Sequence, residues 1–381
     1  MSHLERRLRL GIGLILVTVA ISTVLGDDKT KEGGPKKAVT RPTKEGAKEL
    51  QAAVTLLNAN QIDKGIEKLQ AIVDKYPKGD GARAQAEKLL VEYGVGKDIR
   101  LTLIERKVFR QSFKIPEAEV LALVEKTIEE LEPYFKKVKP FFETRQLKLK
   151  FFDSQASYRK AGGLVTADGH FSMVKADFKA RALVGEISWH MPKHAATLKD
   201  RQLSLKSILY HETAHYWVAY CFGGAMPSVL DEGIATYLQS RLQQEYYQYY
   251  RTTDRLEIES DARHALNTIN KHEDFVAFLK GERGFGQGGE MISRWYGLCY
   301  AVCDFFEEGT LGGKKSTFSA LLEKIEGIVS ASVIKTRAGE QPGRVEAKEI
   351  LETVVVELYG ANLEAFHKAL TQHILGKYKQ R

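Results

Sequence analysis

The 381-residue sequence predicts an α+β protein, with a small sheet early in its main domain and a mostly helical C-terminal lobe. Three observations lead to this fold class. Apolar residues recur at helical spacing between residues 44 and 90 and again between 116 and 135. Residues 146–152 alternate between polar and apolar side chains with a period of two, which is typical of a half-buried strand. Residues 231–381 return to a mostly helical pattern.

The first 26 residues have the pattern of a signal peptide. Three arginines lie within the first ten residues, residues 11–25 are almost wholly apolar, and Gly26 is small enough for signal-peptidase cleavage. The apolar run is short for a helix that spans a membrane, although an uncleaved N-terminal anchor is the alternative. We therefore expect an exported protein that is periplasmic, cell-surface or secreted, with no stable membrane insertion after cleavage. Residues 27–43 are polar and contain glycine and proline, which favours a flexible linker.

Residues 44–96 are expected to form a helical segment. Two stretches of apolar residues at helical spacing are separated by the turn Asn58–Gln61, and the second is ended by Tyr76-Pro77. A third helix is predicted from Ala82 onward. The layout resembles a tetratricopeptide-type repeat, and a plain helical hairpin is equally compatible with it. Because one repeat cannot bury its own apolar face, this segment is expected to pack on the next domain or to bind a protein partner.

Residues 97–381 are expected to form the main domain. The sequence predicts an early strand within Leu101–Phe113, an amphipathic helix over Pro116–Phe135 and a strand over Gln146–Phe152. Further short strands are expected from Tyr158 through Phe171 and over Ala182–Ile187. A last helix is expected to end near Lys377.

The motif His211-Glu212-Thr213-Ala214-His215 has the spacing of a metal-binding helix. Residues four apart lie on the same helical face, so His211 and His215 can bind one cation. Glu212 lies close to that face and can act as general base toward a water molecule. Apolar residues at helical spacing precede the motif, and Gly223-Gly224 is expected to end the helix.

A third ligand is expected from the next helix. A catalytic zinc site commonly has three protein ligands and keeps a fourth position open. Glu232 follows His215 at a distance that allows a helix end, a loop and a returning helix, so its carboxylate can complete the site. The neighbouring Asp231 is the alternative ligand.

His211-Glu-x-x-His215 followed by Glu232-Gly-x-Ala-x-Tyr resembles the gluzincin metallopeptidases, and most closely the peptidase MA-like domains of exported bacterial proteins. The resemblance implies a thermolysin-like fold, one Zn²⁺ bound by His211, His215 and Glu232, and Glu212 as the base. Thermolysin-like enzymes have an aspartate four residues after the third ligand to orient the first histidine. Here that position is Thr236, so another group must hold His211.

The same resemblance implies that a later helix brings a tyrosine to the metal. Tyr296 is the candidate for stabilising the oxyanion of a tetrahedral intermediate, and Tyr300, one turn on, is the alternative. Four histidines have no metal-ligand spacing and are expected on the surface: His264, His272, His367 and His373.

Charge and cysteine content argue against a nucleic-acid-binding protein and against a disulfide-stabilised one. The formal charge of +8 includes lysines in the predicted linker, and no stretch combines basic and aromatic residues as nucleic-acid surfaces do, so no nucleic-acid partner is expected. The three cysteines are too few for a disulfide framework, and they are expected to be small buried apolar residues.

The sequence thus predicts an exported, zinc-dependent peptidase that acts on a peptide or protein substrate. A cell-wall peptide is one alternative substrate. The alternative function is a catalytically inactive zinc-binding scaffold that uses the tetratricopeptide-like segment to dock a partner. An intact Glu212 favours the enzyme, because a structural metal site has no need of a base.

Overall fold

A computed structural model describes residues 41–59, 61–93, 99–104, 114, 117–163, 167–190, 197–242, 254–281, 289–334 and 345–378. The predicted signal peptide and nearly all of the predicted linker lie outside these residues. Within them, the protein is a mixed α and β structure that is mostly helical, as the sequence predicts. No helix in the described ranges combines the length and the apolar character needed to cross a lipid bilayer.

Three helices occupy the N-terminal segment. They are α1 (Lys44–Asn58), α2 (Ile62–Lys75) and α3 (Gly81–Glu92). The hydroxyl of Thr43 caps α1 and the carboxylate of Asp80 caps α3, because each accepts hydrogen bonds from backbone N–H groups of the first turn. Apolar residues of all three helices form one hydrophobic core, which includes Leu57 and Leu69. The helices are therefore confirmed, while the tetratricopeptide-type assignment stays a prediction.

The main sheet has four strands in the order β1-β2-β4-β3. They are β1 (Ile99–Ile104), β2 (Thr144–Phe152), β3 (Gly169–Asp177) and β4 (Ala182–His190). The first three strands in that order run parallel, whereas β3 is antiparallel to β4 and forms an edge. Alternate residues of β2 are buried, as its period-two pattern predicts.

Two expectations for this region need correction. Helix α4 (Glu117–Leu131) ends before Phe135, because Pro133 lacks an N–H group and disfavours helical backbone at the residue before it. Tyr158 belongs to a short helix, α5 (Gln155–Lys160), and not to a strand. The hydroxyl of Ser154 caps that helix by accepting a hydrogen bond from the N–H of Ser157. Residues 105–113 of the predicted early strand lie outside the described residues.

The motif lies on the long helix α6 (Leu198–Phe222). Thr197 and Asp200 form a reciprocal capping box at its start. At its end, Gly223 adopts a left-handed conformation with φ of 63°, which a residue with a Cβ atom rarely does, so the predicted helix end is confirmed. Helix α6 packs on β3 and β4, with Tyr216 against Phe171 of the edge strand.

Helices make up most of the remaining described residues. They are α7 (Ser228–Leu242), α8 (Asp254–Ala265), α9 (His272–Leu279), α10 (Gly289–Glu308), α11 (Phe318–Ile334), α12 (Ala347–Tyr359) and α13 (Leu363–Lys377). Helix α7 packs between α6 and α10, and α10 also packs on α8. A single hydrophobic core joins these helices to the sheet. The predicted last helix is confirmed.

The three cysteines are buried and free, as expected. The expectation that the isolated histidines lie on the surface is wrong for His367, which is buried, while the other three are partly exposed. His367 is buried because its ring stacks on Phe275 at 4.8 Å between centroids and its Nε2 lies 2.8 Å from the carbonyl oxygen of Ile269. A contact between one side chain and a backbone oxygen produces no periodic pattern in the sequence, so the burial of His367 could not be predicted from it.

Candidate metal centre

Helices α6 and α7 bring three ligand atoms together. Nε2 of His211 lies 3.1 Å from Nε2 of His215, and Oε2 of Glu232 lies 3.3 Å and 3.2 Å from those two nitrogens. The three residues form a group that could hold a metal ion. Oε2 of Glu232 is buried and has no hydrogen-bond partner among the described residues. These three ligand atoms form a triangle, and a cation bound between them would accept their lone pairs.

Each histidine has a different partner on its other ring nitrogen. Nδ1 of His215 lies 3.0 Å from a carboxylate oxygen of Asp231. Nδ1 of His211 lies 3.1 Å from the amide oxygen of Gln239. Asp231 therefore lies behind His215 and does not join the triangle, and the outer nitrogen of His211 contacts Gln239 and not Thr236.

Charges within the centre shift the pKa values of its groups. Burial raises the pKa of Glu232, but the rings of His215 and His211 outweigh burial and hold that pKa far below its usual range. Burial lowers the pKa of His215, and the carboxylates of Asp231 and Glu232 raise it well above its usual value. The carboxylates therefore favour a proton on His215, which a divalent ion bound at its Nε2 would displace.

Glu212 lies beside the triangle in a buried position, with 7% of its surface exposed. Burial raises the pKa of its carboxyl group, and the nearby Glu232 charge raises it further, against the lowering effect of the two histidines. A backbone hydrogen bond from Phe171, on the edge strand, also lowers this pKa. A raised pKa makes a buried carboxylate a stronger base and so better suited to accept a proton and release it again.

The tyrosine predicted for the site is Tyr296, on α10. Its ring lies 6.3 Å from the ring of His211, and burial together with the charges of Glu232 and Glu212 raises the pKa of its hydroxyl group. The alternative, Tyr300, is fully buried away from the metal centre. Its hydroxyl lies 3.5 Å from Oδ1 of Asp304, and its ring packs against Tyr378. Of the two candidates, the fold brings only Tyr296 to the metal centre.

A cleft of about 480 Å³ leads to the centre, a volume typical of ligand sites. Residues 167–171, at the start of the edge strand, line one side of it and include Asp168 and His170, and helices α6, α7, α8 and α10 line the rest. These two residues could not be predicted from the sequence, because alternation along a strand does not indicate which edge of a sheet faces a cleft. Gln239 was not predicted either, although it lies seven residues, or two helical turns, after Glu232 and therefore on the same face of α7.

No family model matches this chain, and no curated protein matches it either. The resemblance to gluzincins therefore rests on the motif residues and their geometry. Its specific motif lies within residues 205–237, and over about residues 100–375 the resemblance is one of general layout only.

Proposed function

We propose that the protein is an exported zinc-dependent metallopeptidase with a thermolysin-like (gluzincin) main domain. The observation that carries the proposal is the meeting of His211, His215 and Glu232 beside the buried Glu212, at the base of a cleft. Export rests on the predicted signal peptide.

The distances within the triangle support zinc as the metal. Ligand atoms about 2.0–2.1 Å from a tetrahedral zinc ion lie about 3.3 Å from one another. The three separations between His211, His215 and Glu232 are 3.1, 3.2 and 3.3 Å. Two imidazole nitrogens and one carboxylate oxygen also suit zinc better than calcium or magnesium, which prefer oxygen ligands alone.

The side chains around the triangle fit peptide-bond hydrolysis. When bound, zinc would supply Lewis acidity, which polarises a carbonyl group and makes water easier to deprotonate. Glu212 would accept the proton from the attacking water and pass it to the leaving amine. Tyr296 would donate a hydrogen bond to the oxygen on which negative charge develops.

The edge strand supports a peptide as the substrate. Within the described residues, β3 pairs only with β4, and its first residues border the cleft. An extended peptide could bind there by main-chain hydrogen bonds, as an added strand. We therefore propose an unfolded peptide segment as the substrate class.

The test compares wild-type protein with Glu212→Gln on a mixture of unstructured peptides, with new termini detected by mass spectrometry. We expect wild type to cleave peptides when zinc is present and to stop after chelation. Glu212→Gln should keep one zinc per chain and lose about 10²–10⁴-fold in rate, because the amide cannot take up a proton.

Each result distinguishes the alternatives. If wild type binds zinc but cleaves no peptide, the inactive scaffold is supported instead. If Glu212→Gln keeps full activity, Glu212 is not the base and the proposed mechanism is wrong.

A further inference from the structure

Thr236, four residues after Glu232, does not hold His211. Its hydroxyl is buried and has no hydrogen-bond partner among the described residues. The group that contacts the outer nitrogen of His211 lies one turn further along α7, where the amide oxygen of Gln239 is 3.1 Å from Nδ1.

A serine on the opposite helix fixes the amide of Gln239. Nε2 of Gln239 donates to the hydroxyl oxygen of Ser207 at 3.0 Å and lies 3.4 Å from the backbone carbonyl oxygen of the same residue. A backbone carbonyl only accepts hydrogen bonds, so the amide nitrogen must face Ser207. The amide oxygen must then face His211.

This orientation decides which nitrogen of His211 carries hydrogen. An amide oxygen only accepts, so Nδ1 of His211 must donate to it. Nε2 then keeps its lone pair and points it at the triangle shared with His215 and Glu232. Ser207 lies one turn before His211 on α6, so the contacts join the two helices that carry the ligands.

We propose that Gln239 is a positioning residue for the metal centre, which fixes the tautomer and ring orientation of His211, and that Ser207 in turn positions Gln239. The inference rests on the metal site of the proposed function. It adds that the two histidines are held differently, His215 by a carboxylate and His211 by a neutral amide. A carboxylate behind a histidine increases its strength as a ligand, so the amide makes His211 the weaker of the two.

The experiment measures zinc affinity at constant pH by competition with a chromophoric chelator, for wild type, Gln239→Leu and Gln239→Glu. Leucine keeps most of the volume but cannot accept a hydrogen bond, so its zinc affinity should fall about 10- to 100-fold. Glutamate can accept from His211, so Gln239→Glu should bind zinc at least as tightly as wild type. Thr236→Val is the matched control, and its affinity should stay within about twofold of wild type because that hydroxyl makes no hydrogen bond to either histidine.

A spectroscopic signature separates positioning from general damage to the fold. The visible absorption bands of the cobalt(II) form report ligand geometry, and they should change in Gln239→Leu but be restored in Gln239→Glu. Equal zinc affinity in wild type and Gln239→Leu would overturn the inference, as would a larger loss in Thr236→Val. If wild type itself binds no zinc, the proposed function is wrong. That result differs from a wild type that binds zinc as tightly as Gln239→Leu does, which would contradict only the role of Gln239.

The role of Ser207 is tested by a double-mutant cycle. Ser207→Ala alone should weaken zinc binding about fivefold, as expected for one lost hydrogen bond. In the Gln239→Leu background the same change should have no further effect, because Ser207 acts only through Gln239. Equal losses in both backgrounds would show that Ser207 acts by another route and would contradict this part of the inference.

Discussion

Asp231 and Glu232 contact opposite nitrogens of the His215 ring. Asp231 lies 3.0 Å from Nδ1, whereas Oε2 of Glu232 lies 3.2 Å from Nε2. A metal at the triangle binds Nε2, so Asp231 can influence it only through the ring. In the proposed metal site the two neighbouring carboxylates would thus have separate roles, Glu232 as a ligand and Asp231 as the group that orients a ligand.

This difference predicts distinct losses of zinc binding. Glu232→Ala should remove stoichiometric zinc, because only two ligands remain. Asp231→Ala should still bind one zinc per chain, about 10- to 100-fold more weakly than wild type, because His215 loses its partner. Metal content by elemental analysis and affinity by chelator competition measure the two effects. The reverse order of losses would make Asp231 the ligand.

At the scale of helices, Gly233 allows α7 to approach α10 closely. A Cβ atom at this position would lie 2.5 Å from the backbone oxygen of Cys299 and 2.9 Å from Sγ of Cys303. The close packing brings Tyr296 of α10 near Glu232 of α7. Gly233, which follows Glu232 in the motif, therefore allows the close packing of α7 and α10 at the candidate metal centre.

We predict that Gly233→Ala lowers the free energy of unfolding by about 1–3 kcal/mol, because a backbone oxygen cannot move aside as a flexible side chain can. Gly327→Ala is the matched control. That glycine also lies in a helix, but a Cβ atom there would have nothing within 4 Å. The control should gain up to about 1 kcal/mol from helix propensity. Urea denaturation measures both variants, and a Gly233→Ala protein as stable as the control would contradict the account.

The sequence predicts most elements of the main domain because their patterns are local. The period-two alternation of residues 146–152 predicts strand β2, and the glycines after Phe222 predict the end of helix α6. The helix at Tyr158 escaped prediction because it is only six residues long and depends on one cap, Ser154. Short elements carry too few residues for a period to be visible.

At the scale of the whole molecule, a buried carboxylate ties the C-terminal helix to α10. Asp304 is fully buried and accepts hydrogen bonds from Nζ of Lys377 at 2.7 and 2.9 Å and from the hydroxyl of Tyr378 at 2.8 Å. Nε2 of His373 lies 3.0 Å from the same carboxylate. Burial acts to raise the pKa of Asp304, but His373 and Lys377 outweigh it and lower that pKa to about 2.

This lowered pKa predicts how stability depends on pH. The carboxyl group titrates near 3.8 without its partners and near 2 in the folded protein, so its contribution is complete above pH 4 and disappears as the pH falls toward 2. Asp304→Asn should lose about 3–5 kcal/mol at pH 7, because Lys377 and His373 lose a buried charged partner. The difference from wild type should shrink between pH 4 and pH 2.

Urea denaturation measures this difference on protein that has been made metal-free with a chelator. Loss of metal in acid then cannot contribute to the measured stability. Glu364→Gln is the control, since its exposed pair with Lys368 on the same helix should matter little. A difference between Asp304→Asn and wild type that is the same at pH 3 and pH 7 would show that the carboxylate charge is not what holds the helix.

The candidate site could be predicted from sequence only where its spacing is local. His211, Glu212 and His215 share one helix, and Glu232 follows a short loop. The positions of Gln239 and Asp168 at the site depend on how α7 and the edge strand pack against α6. The sequence on either side of these two residues contains no pattern that indicates a metal site. Tyr296 and Tyr300 lie one turn apart on the same face of α10, so the choice between them required the position of α10 along its axis relative to α7, which periodicity does not give.

The most direct test of the metal centre is anomalous X-ray diffraction at the zinc absorption edge, on crystals of the protein grown with zinc. We predict one strong peak about 2.0–2.2 Å from Nε2 of His211, Nε2 of His215 and Oε2 of Glu232, with no fourth side chain bound on the side of the cleft. A peak elsewhere, a fourth protein ligand, or no peak at saturating zinc would contradict the central claim.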